Sequence, residues 1–352
     1  MPTELTLALQ PQTRLDLINV TAHIQAVQPD FLQRYRQALY YSYHTTAGYP
    51  EQRLCERLGY RREALEAFFR TFQRLFPPGA GYCHDRLELR QELSETARQH
   101  EPRNADAHLT YIGAGLLPAA CYRHAPNHPV YLVDLDGVYE GHVRARQTTV
   151  VGFNRIERLA TRRLTVPMPS HRIASVNLRD HHLGFFETLA QWLQQFDLQH
   201  GRLDLLLPAE EQHAALTVNE YETLLMRHDL AEVLRNPFRF MAETGRHALQ
   251  NPRAVPGKAL NYAKYDLVRL VNEFIDRLRL NESLVERVLN KFLSLPAARF
   301  LRMKRGLHLL VAPDAGGRPT IRQGRYQSPI LIQWERPPRN TRTIEVRLYR
   351  FD

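Results

Sequence analysis

The chain has 352 residues, 43% of them hydrophobic and 24% charged, with a formal net charge of +10. That length can bury a sizeable core in one large domain or two ordinary ones, and the composition is that of a globular protein. No apolar stretch is long enough to span a bilayer, the start "MPTELTLALQPQTRLDL" lacks the basic and apolar regions of a signal peptide, and Cys55, Cys83 and Cys121 form neither a disulfide framework nor a CxxC site, so a cytoplasmic protein is expected.

Residues 1–104 read as an α-helical N-terminal cap. In "LEAFFRTFQRLF" the apolar Leu65, Phe68, Phe69, Phe72, Leu75 and Phe76 recur at three- and four-residue steps, the period of an amphipathic helix. Pro77 and Pro78 stop it, and Gly79 and Gly81 favour a turn. A polar helix, "DRLELRQELSETARQ", then runs into the break "HEPRNADAH". Tyr40, Tyr41, Tyr43 and Tyr49 cluster in "YYSYHTTAGY", where they read as packing or, collectively, as a lid able to enclose a cation.

From residue 105 the texture changes to short apolar runs separated by helices, the pattern of a doubly wound α/β sheet. The expected strands are "LTYIG", "VYLVDLD", "RIASVNL", "RLDLLLP" and "GLHLLVAP", and "LGFFETLAQWLQQF" is an expected core-facing helix. A helical insertion is expected at about 236–300, with "YDLVRLVNEFIDRL" amphipathic inside it. The chain closes with "PILIQWE", a short loop and "RTIEVRLYRF", whose period-two alternation predicts a C-terminal antiparallel hairpin. No internal repeat is visible.

The stretch "YIGAGLLPAACYRHAPNHPVYLVDLD" reads as strand, small-residue turn, helix, strand and acid. In an open parallel sheet the first such turn meets a nucleotide, with Gly113 and Gly115 allowing close backbone approach and Asp134 or Asp136 accepting the ribose hydroxyls. Pro118 stands where a dinucleotide motif needs its third glycine, which argues against a pyrophosphate. With the C-terminal hairpin, these features resemble the class I S-adenosylmethionine-dependent methyltransferases over about residues 105–235 and 300–352. The resemblance implies a Rossmann-like sheet with S-adenosylmethionine as cofactor. It places Tyr111, Gly113, Ala114 and Gly115 at the cofactor turn, Asp134 and Asp136 at the ribose, and Asn177 and Asp180 near the adenine. The turn "GAGLLP" is also similar to that of nicotianamine synthase-like enzymes, which transfer an aminocarboxypropyl group and release methylthioadenosine.

The expected function is therefore an S-adenosylmethionine-dependent transferase acting on a small molecule, with methyl transfer ahead of aminocarboxypropyl chemistry. Glu210, beyond the fourth expected strand, stands where a general base could act, beside Glu211, and Tyr139 is a candidate for enclosing the sulfonium. "RDHH" (Asp180, His181, His182) and "EEQH" (His213) lack zinc-like spacing, so no metal is expected. Cys121 reads as a small buried residue. Twelve of the Lys and Arg residues, against four Asp and Glu, fall between Arg299 and Asp352. They keep open an RNA-modifying enzyme, and a non-catalytic interaction protein is the third reading.

Overall fold

The structure is a computed structural model and describes residues 1–237, 239–241 and 301–352. The expected insertion at about 236–300 lies almost wholly outside these residues.

Among the described residues every pair of strands is antiparallel, so the doubly wound, Rossmann-like sheet and the methyltransferase resemblance built on it do not hold. The first half contains β1 (Thr3–Leu9), β2 (Asp16–Asn19), β3 (Gln37–Ser42), β4 (Ala47–Gly48), β5 (Ala119–Arg123) and β6 (Tyr131–Asp134). A small hairpin follows, β7 (Val138–Tyr139) and β8 (His142–Val143), and then β9 (Arg146–Phe153). The second half contains β10 (Ile156–Pro167), β11 (Ala174–Asn177), β12 (Gly201–Leu206), β13 (Ala214–Asn219), β14 (Gly306–Pro313), β15 (Pro319–Ile321), β16 (Ser328–Gln333) and β17 (Thr341–Phe351). Residues 1–104 therefore hold four strands beside helices α1 (Val20–Val27), α2 (Phe31–Arg34), α3 (Gln52–Arg57), α4 (Arg62–Leu75) and α5 (Glu95–His100). The remaining described α-helices are α6 (Ala105–Ala114), α7 (Phe185–Leu193) and α8 (Leu230–Arg235).

The two halves are copies of one topology. A larger sheet runs β1-β9-β3-β5 in the first and β10-β17-β12-β14-β15 in the second, and a smaller one runs β2-β6-β4 in the first and β11-β16-β13 in the second. The register repeats as well. Asp134 faces Asp16 and Ala47, as Gln333 faces Ala174 and Ala214. The bridge Tyr49–Leu117 recurs as Leu216–Lys304, and the bond Leu135 N–H to Thr46 C=O as Trp334 N–H to His213 C=O. Arg146 reaches Asp134 from the start of β9, and Arg342 reaches Gln333 from the start of β17. The described parts of the two halves thus repeat one strand order and register, which the sequence hid because few side chains at matching positions are alike. Its C-terminal strands do not form the expected hairpin. β16 pairs with β11 and β13, whereas β17 pairs with β10 and β12 in the other sheet.

The element that misled the sequence reading is α6. All ten of its residues are buried, so its apolar run "LTYIG" shows no polar face from which a helical period could be read. It ends in a Schellman cap: Gly115, at φ +71°, donates its N–H to Ile112 C=O, and Leu116 donates to Tyr111 C=O. The supposed nucleotide turn is therefore a helix C-terminus, and the supposed helix after it, "AACYR", is β5. α4, by contrast, is the expected amphipathic helix, burying Leu65, Phe68, Phe69, Phe72 and Leu75. Each such side chain is worth about 1.5–3 kcal/mol of burial. The halves meet through the outer faces of their larger sheets, where Leu39, Tyr41, Val151 and Phe153 pack on Leu310, Ala312 and Phe351. The Phe153 and Phe351 rings stack there, with centroids 3.9 Å apart.

Candidate functional site

A buried polar cluster lies where α6 of the first half meets the segment following β13 of the second. Its members are His84, Arg90, Asn104, Asp106 and His108 from the first half and Asn219, Glu222 and Asp229 from the second, all buried, with the half-buried Glu220. Burying polar groups is costly unless they are paired, and two carboxylates do the fastening. Asp229 accepts the backbone N–H groups of Cys83 and His84, both at 2.8 Å. Glu222 accepts those of Leu224 and Leu225 at 2.7 and 2.6 Å. Asp85 accepts Ala105 N–H at 3.0 Å and so caps α6.

A hydrogen-bonded chain crosses the boundary between the halves. Glu222 meets His84 Nδ1 at 3.2 Å, His84 Nε2 meets Asn104 Oδ1 at 3.2 Å, and Asn104 Nδ2 donates to Asp136 Oδ2 at 2.7 Å. Asp136 in turn pairs with Arg144. Burial is the largest influence and opposes a charged His84 ring, but the bond to Glu222 together with the charges of Asp85 and Glu222 prevails, so the ring stays protonated above the usual histidine range. With both ring nitrogens protonated, every link from Glu222 to Asp136 has a donor and an acceptor.

His108 is the opposite case. Burial, then the neighbouring His84, holds its ring neutral well below the usual range. Its Nε2 lies 3.9 Å from Glu220, while its Nδ1 has no partner. Burial raises Glu220, against the pull of the Arg90 guanidinium, which also binds Glu92 and Glu101. Burial likewise pushes Asp106 up to about 7, against its ion pair with Arg14, and Asp229 up to about 6. Thr110 Oγ1 on α6 and Asp136 Oδ1 are further buried atoms without partners.

Two members of this network, Arg144 and Glu101, also line a cavity of about 550 Å3 with Arg98, Arg103, His142 and Tyr139. Arginines outnumber acids on its wall, where the acids are Glu101 and Glu140.

The residues expected at a cofactor site are dispersed. Tyr111, Gly113 and Ala114 are buried in α6, and Gly113 packs on Phe76 and Leu301. A Cβ on Gly115 would lie 2.2 Å from the Arg302 carbonyl oxygen, so this glycine serves contact between the halves. Asp134 is fully buried and held by Arg146 at 2.6 and 2.8 Å; with Asp136 held by Arg144, both aspartates face arginines of their own half. Asn177 accepts Arg179 N–H, and Asp180 caps the turn at His182, on the other half of the fold. Glu210 is exposed, pairs with Arg163, and lines a separate cavity of about 670 Å3; Glu211 binds the buried Arg342. Tyr139 does line the cavity beside the cluster, with Arg14 over its ring at 5.8 Å.

The remaining singled-out side chains have local partners. Tyr40, Tyr41 and Tyr49 are buried, bonding His124, Gln327 and Thr148, and Tyr43 bonds Thr149. Cys121 accepts from Arg202 at 3.0 Å. Asp180, His181 and His182 are the one group of potential metal ligands gathered closely among the described residues, and all three are exposed. Arg342, Arg347 and Arg350 of the basic C-terminal segment are in ion pairs with Glu211, Glu345 and Glu157. Among the described residues no helix is long and apolar enough to cross a membrane.

Sequence reasoning missed His84, Asn104, Asp106, His108, Asn219, Glu220 and Glu222. Their signal was density: "NADAH" and "NEYE" put carboxylates, amides and a histidine beside apolar runs, but no spacing rule joins segments more than a hundred residues apart.

The His84–Glu222 pair carries a pH signature. His84 titrates above its ordinary 6.5, so its stabilising contribution is complete below about pH 6.5 and is lost as pH rises through the folded value. Glu222 titrates below its ordinary 4.5, so its contribution is present above about pH 4.5 and is lost as pH falls through the folded value. The stability deficit of Glu222→Gln relative to the native chain, read from urea midpoints, is largest between about pH 4.5 and 6.5 and shrinks on either side. A deficit independent of pH would contradict the pairing.

No protein-family model matches the chain, and no curated protein matches it. Among solved structures it is similar to a YbjQ-like protein of unknown function from Sulfolobus solfataricus P2, at 15% identity and a TM-score of 0.29, covering 56% of this chain and 99% of that one. A hypothetical protein from Aeropyrum pernix K1 matches at 19% identity and 0.28, covering 55% and 100%. An uncharacterized conserved protein of the yjbq/upf0047 family from Clostridium acetobutylicum matches at 10% and 0.27, covering 54% and 99%. Likeness at this level assigns neither a family nor an activity to this chain.

Proposed function

We propose that the chain is an enzyme that holds a small anionic molecule in the cavity of about 550 Å3 and moves a proton through the polar cluster joined to it by Arg144 and Glu101. The observation that carries this reading is the set of buried, unpartnered atoms on and around α6: His108 Nδ1, Thr110 Oγ1 and Asp136 Oδ1. Each costs about 1–3 kcal/mol if left unsatisfied, so three of them in one place offer hydrogen-bond positions that a polar ligand or a transferred proton can use. A neutral histidine 3.9 Å from a carboxyl group raised above its usual range sets a proton acceptor beside a proton donor. Arg103 and Arg144 at the rim supply the charge that would fix an anion.

The test is a thermal-shift titration with inorganic phosphate, phosphate monoesters, dicarboxylates and S-adenosylmethionine, followed by turnover assays on the ligands that bind. An anion is expected to raise the melting temperature, with ligand at a hundred times Kd stabilising by about 2.7 kcal/mol. Arg144→Ala is expected to remove that shift. His108→Gln is expected to lower turnover by roughly 10²–10⁴-fold while the urea midpoint still reports a folded chain. A wild-type chain stabilised by none of the anions would overturn the proposal.

A further inference from the structure

Two copies of a fold would be expected to carry two copies of its site, and the shared register allows each ingredient of the cluster to be looked for in the other half. We infer that the chain carries one site, and that the second half has given up its own and serves as an in-chain partner for the first; the inference rests on the proposed function of the cluster.

The ladder register that aligns Tyr49 with Leu216 aligns Asn219, Glu220 and Glu222 with Gln52, Arg53 and Cys55. Both acids are thereby absent from the first half's version of this segment. What stands there faces inward to its own half or outward to solvent. Gln52 bonds Tyr60 and the Arg123 backbone, Arg53 is exposed, and Cys55 is buried against the Tyr122 hydroxyl.

The head of the smaller sheet has changed in the opposite half. Asp134 and Asp136 align with Gln333 and Glu335. Gln333 keeps its arginine, Arg342, but it is neutral and binds the Pro169 and His171 carbonyls. Glu335 is 56% exposed and pairs with His213, where Asp136 is fully buried and closes the chain from Glu222 to Arg144. Among the described residues each half has thus kept a part of the cluster that the other lacks: acids and amide after β13 in the second, buried aspartates at the head of the smaller sheet in the first. A composite of that kind can be assembled once per chain. Gln52 and Arg53, the residues aligned with Asn219 and Glu220, line a separate hollow of about 530 Å3 with Glu56 and Cys121.

Equilibrium dialysis with radiolabelled inorganic phosphate reads the number of sites. One mole is expected to bind per mole of chain, weakened at least tenfold by Arg144→Ala and, in a variant that touches no buried group, by Arg103→Ala. Arg53→Ala is expected to leave both number and affinity unchanged. Two moles per chain, or loss of one equivalent in Arg53→Ala, would overturn the inference while leaving the proposed function standing. No bound phosphate in the wild-type chain would remove the reading on which both rest.

Discussion

Arg146→Ala is expected to destabilise the chain by about 3–5 kcal/mol, whereas the register-equivalent Arg342→Ala costs about 1–3 kcal/mol. Both arginines start the last strand of their half and reach the end of the neighbouring smaller sheet. Arg146 is nearly inaccessible and neutralises Asp134, which is fully buried; it also donates to the Asp136 carbonyl at 2.9 Å. Removing it leaves a charge in the core. Arg342 faces the neutral Gln333, and its ion pair is with Glu211, whose carboxylate keeps the Thr343 N–H as a second partner. The difference between the two costs is itself pH-dependent. Burial already raises Asp134, and Arg146 pulls it back. Without the arginine the carboxyl takes up a proton more readily, so the cost of Arg146→Ala falls as pH is lowered from 7 towards 4. Urea midpoints of the two variants across that range decide the matter, and equal, pH-independent losses would contradict the assigned geometry.

Gly115→Val is expected to cost about 2–5 kcal/mol, because a β-branched residue is strained at φ +71° and its Cβ would collide with the Arg302 backbone. Gly113→Ala is a milder change. Gly113 has ordinary helical conformation, the nearest atom to its missing Cβ is a Phe76 ring carbon at 2.9 Å, and alanine repays about 0.5–1 kcal/mol of helix propensity. Denaturant midpoints distinguish this from the nucleotide-turn expectation, under which substitution at Gly115 would weaken ligand binding and leave stability nearly intact. That second outcome would refute the helix-cap reading.

The same glycine shows what could and could not be read from the residues. α4, α7 and the strands β6, β11, β12, β14, β16 and β17 were legible, because each buries one face or a short continuous run and its period survives in the sequence, whereas β1 to β5 and β13 were not. α6 was not, since a helix buried on every side has no polar face, and "YIGAG" before a proline fits a strand and turn as well as a helix and cap. Strand direction was the deeper loss. Continuous apolar runs suggested parallel strands covered on both faces, but here antiparallel strands acquire the same pattern because one copy of the larger sheet covers the other at Leu39, Val151 and Leu310. β9 and β10, rich in Arg and Thr, were passed over entirely; β10 is an exposed edge on which polar residues are the rule. Of the candidate site residues, Tyr139 and Asp136 fall in or beside the cluster, although Asp136 was singled out as a strand-end acid for ribose hydroxyls rather than for this network. Its charged partner is an arginine eight residues on, and the cluster around it joins segments that lie far apart in the chain.

The central claim is that His84 and His108 belong to one proton-handling cluster joined through Arg144 and Glu101 to an anion-binding cavity. Long-range proton–nitrogen NMR of the histidine rings at pH 6, before and after addition of inorganic phosphate, tests it most directly. His84 should have both ring nitrogens protonated and lose that state in Glu222→Gln; His108 should be neutral, and its resonances should move with phosphate. A cationic His108, or phosphate shifts confined to histidines elsewhere such as His308 at the 670 Å3 cavity, would contradict the account.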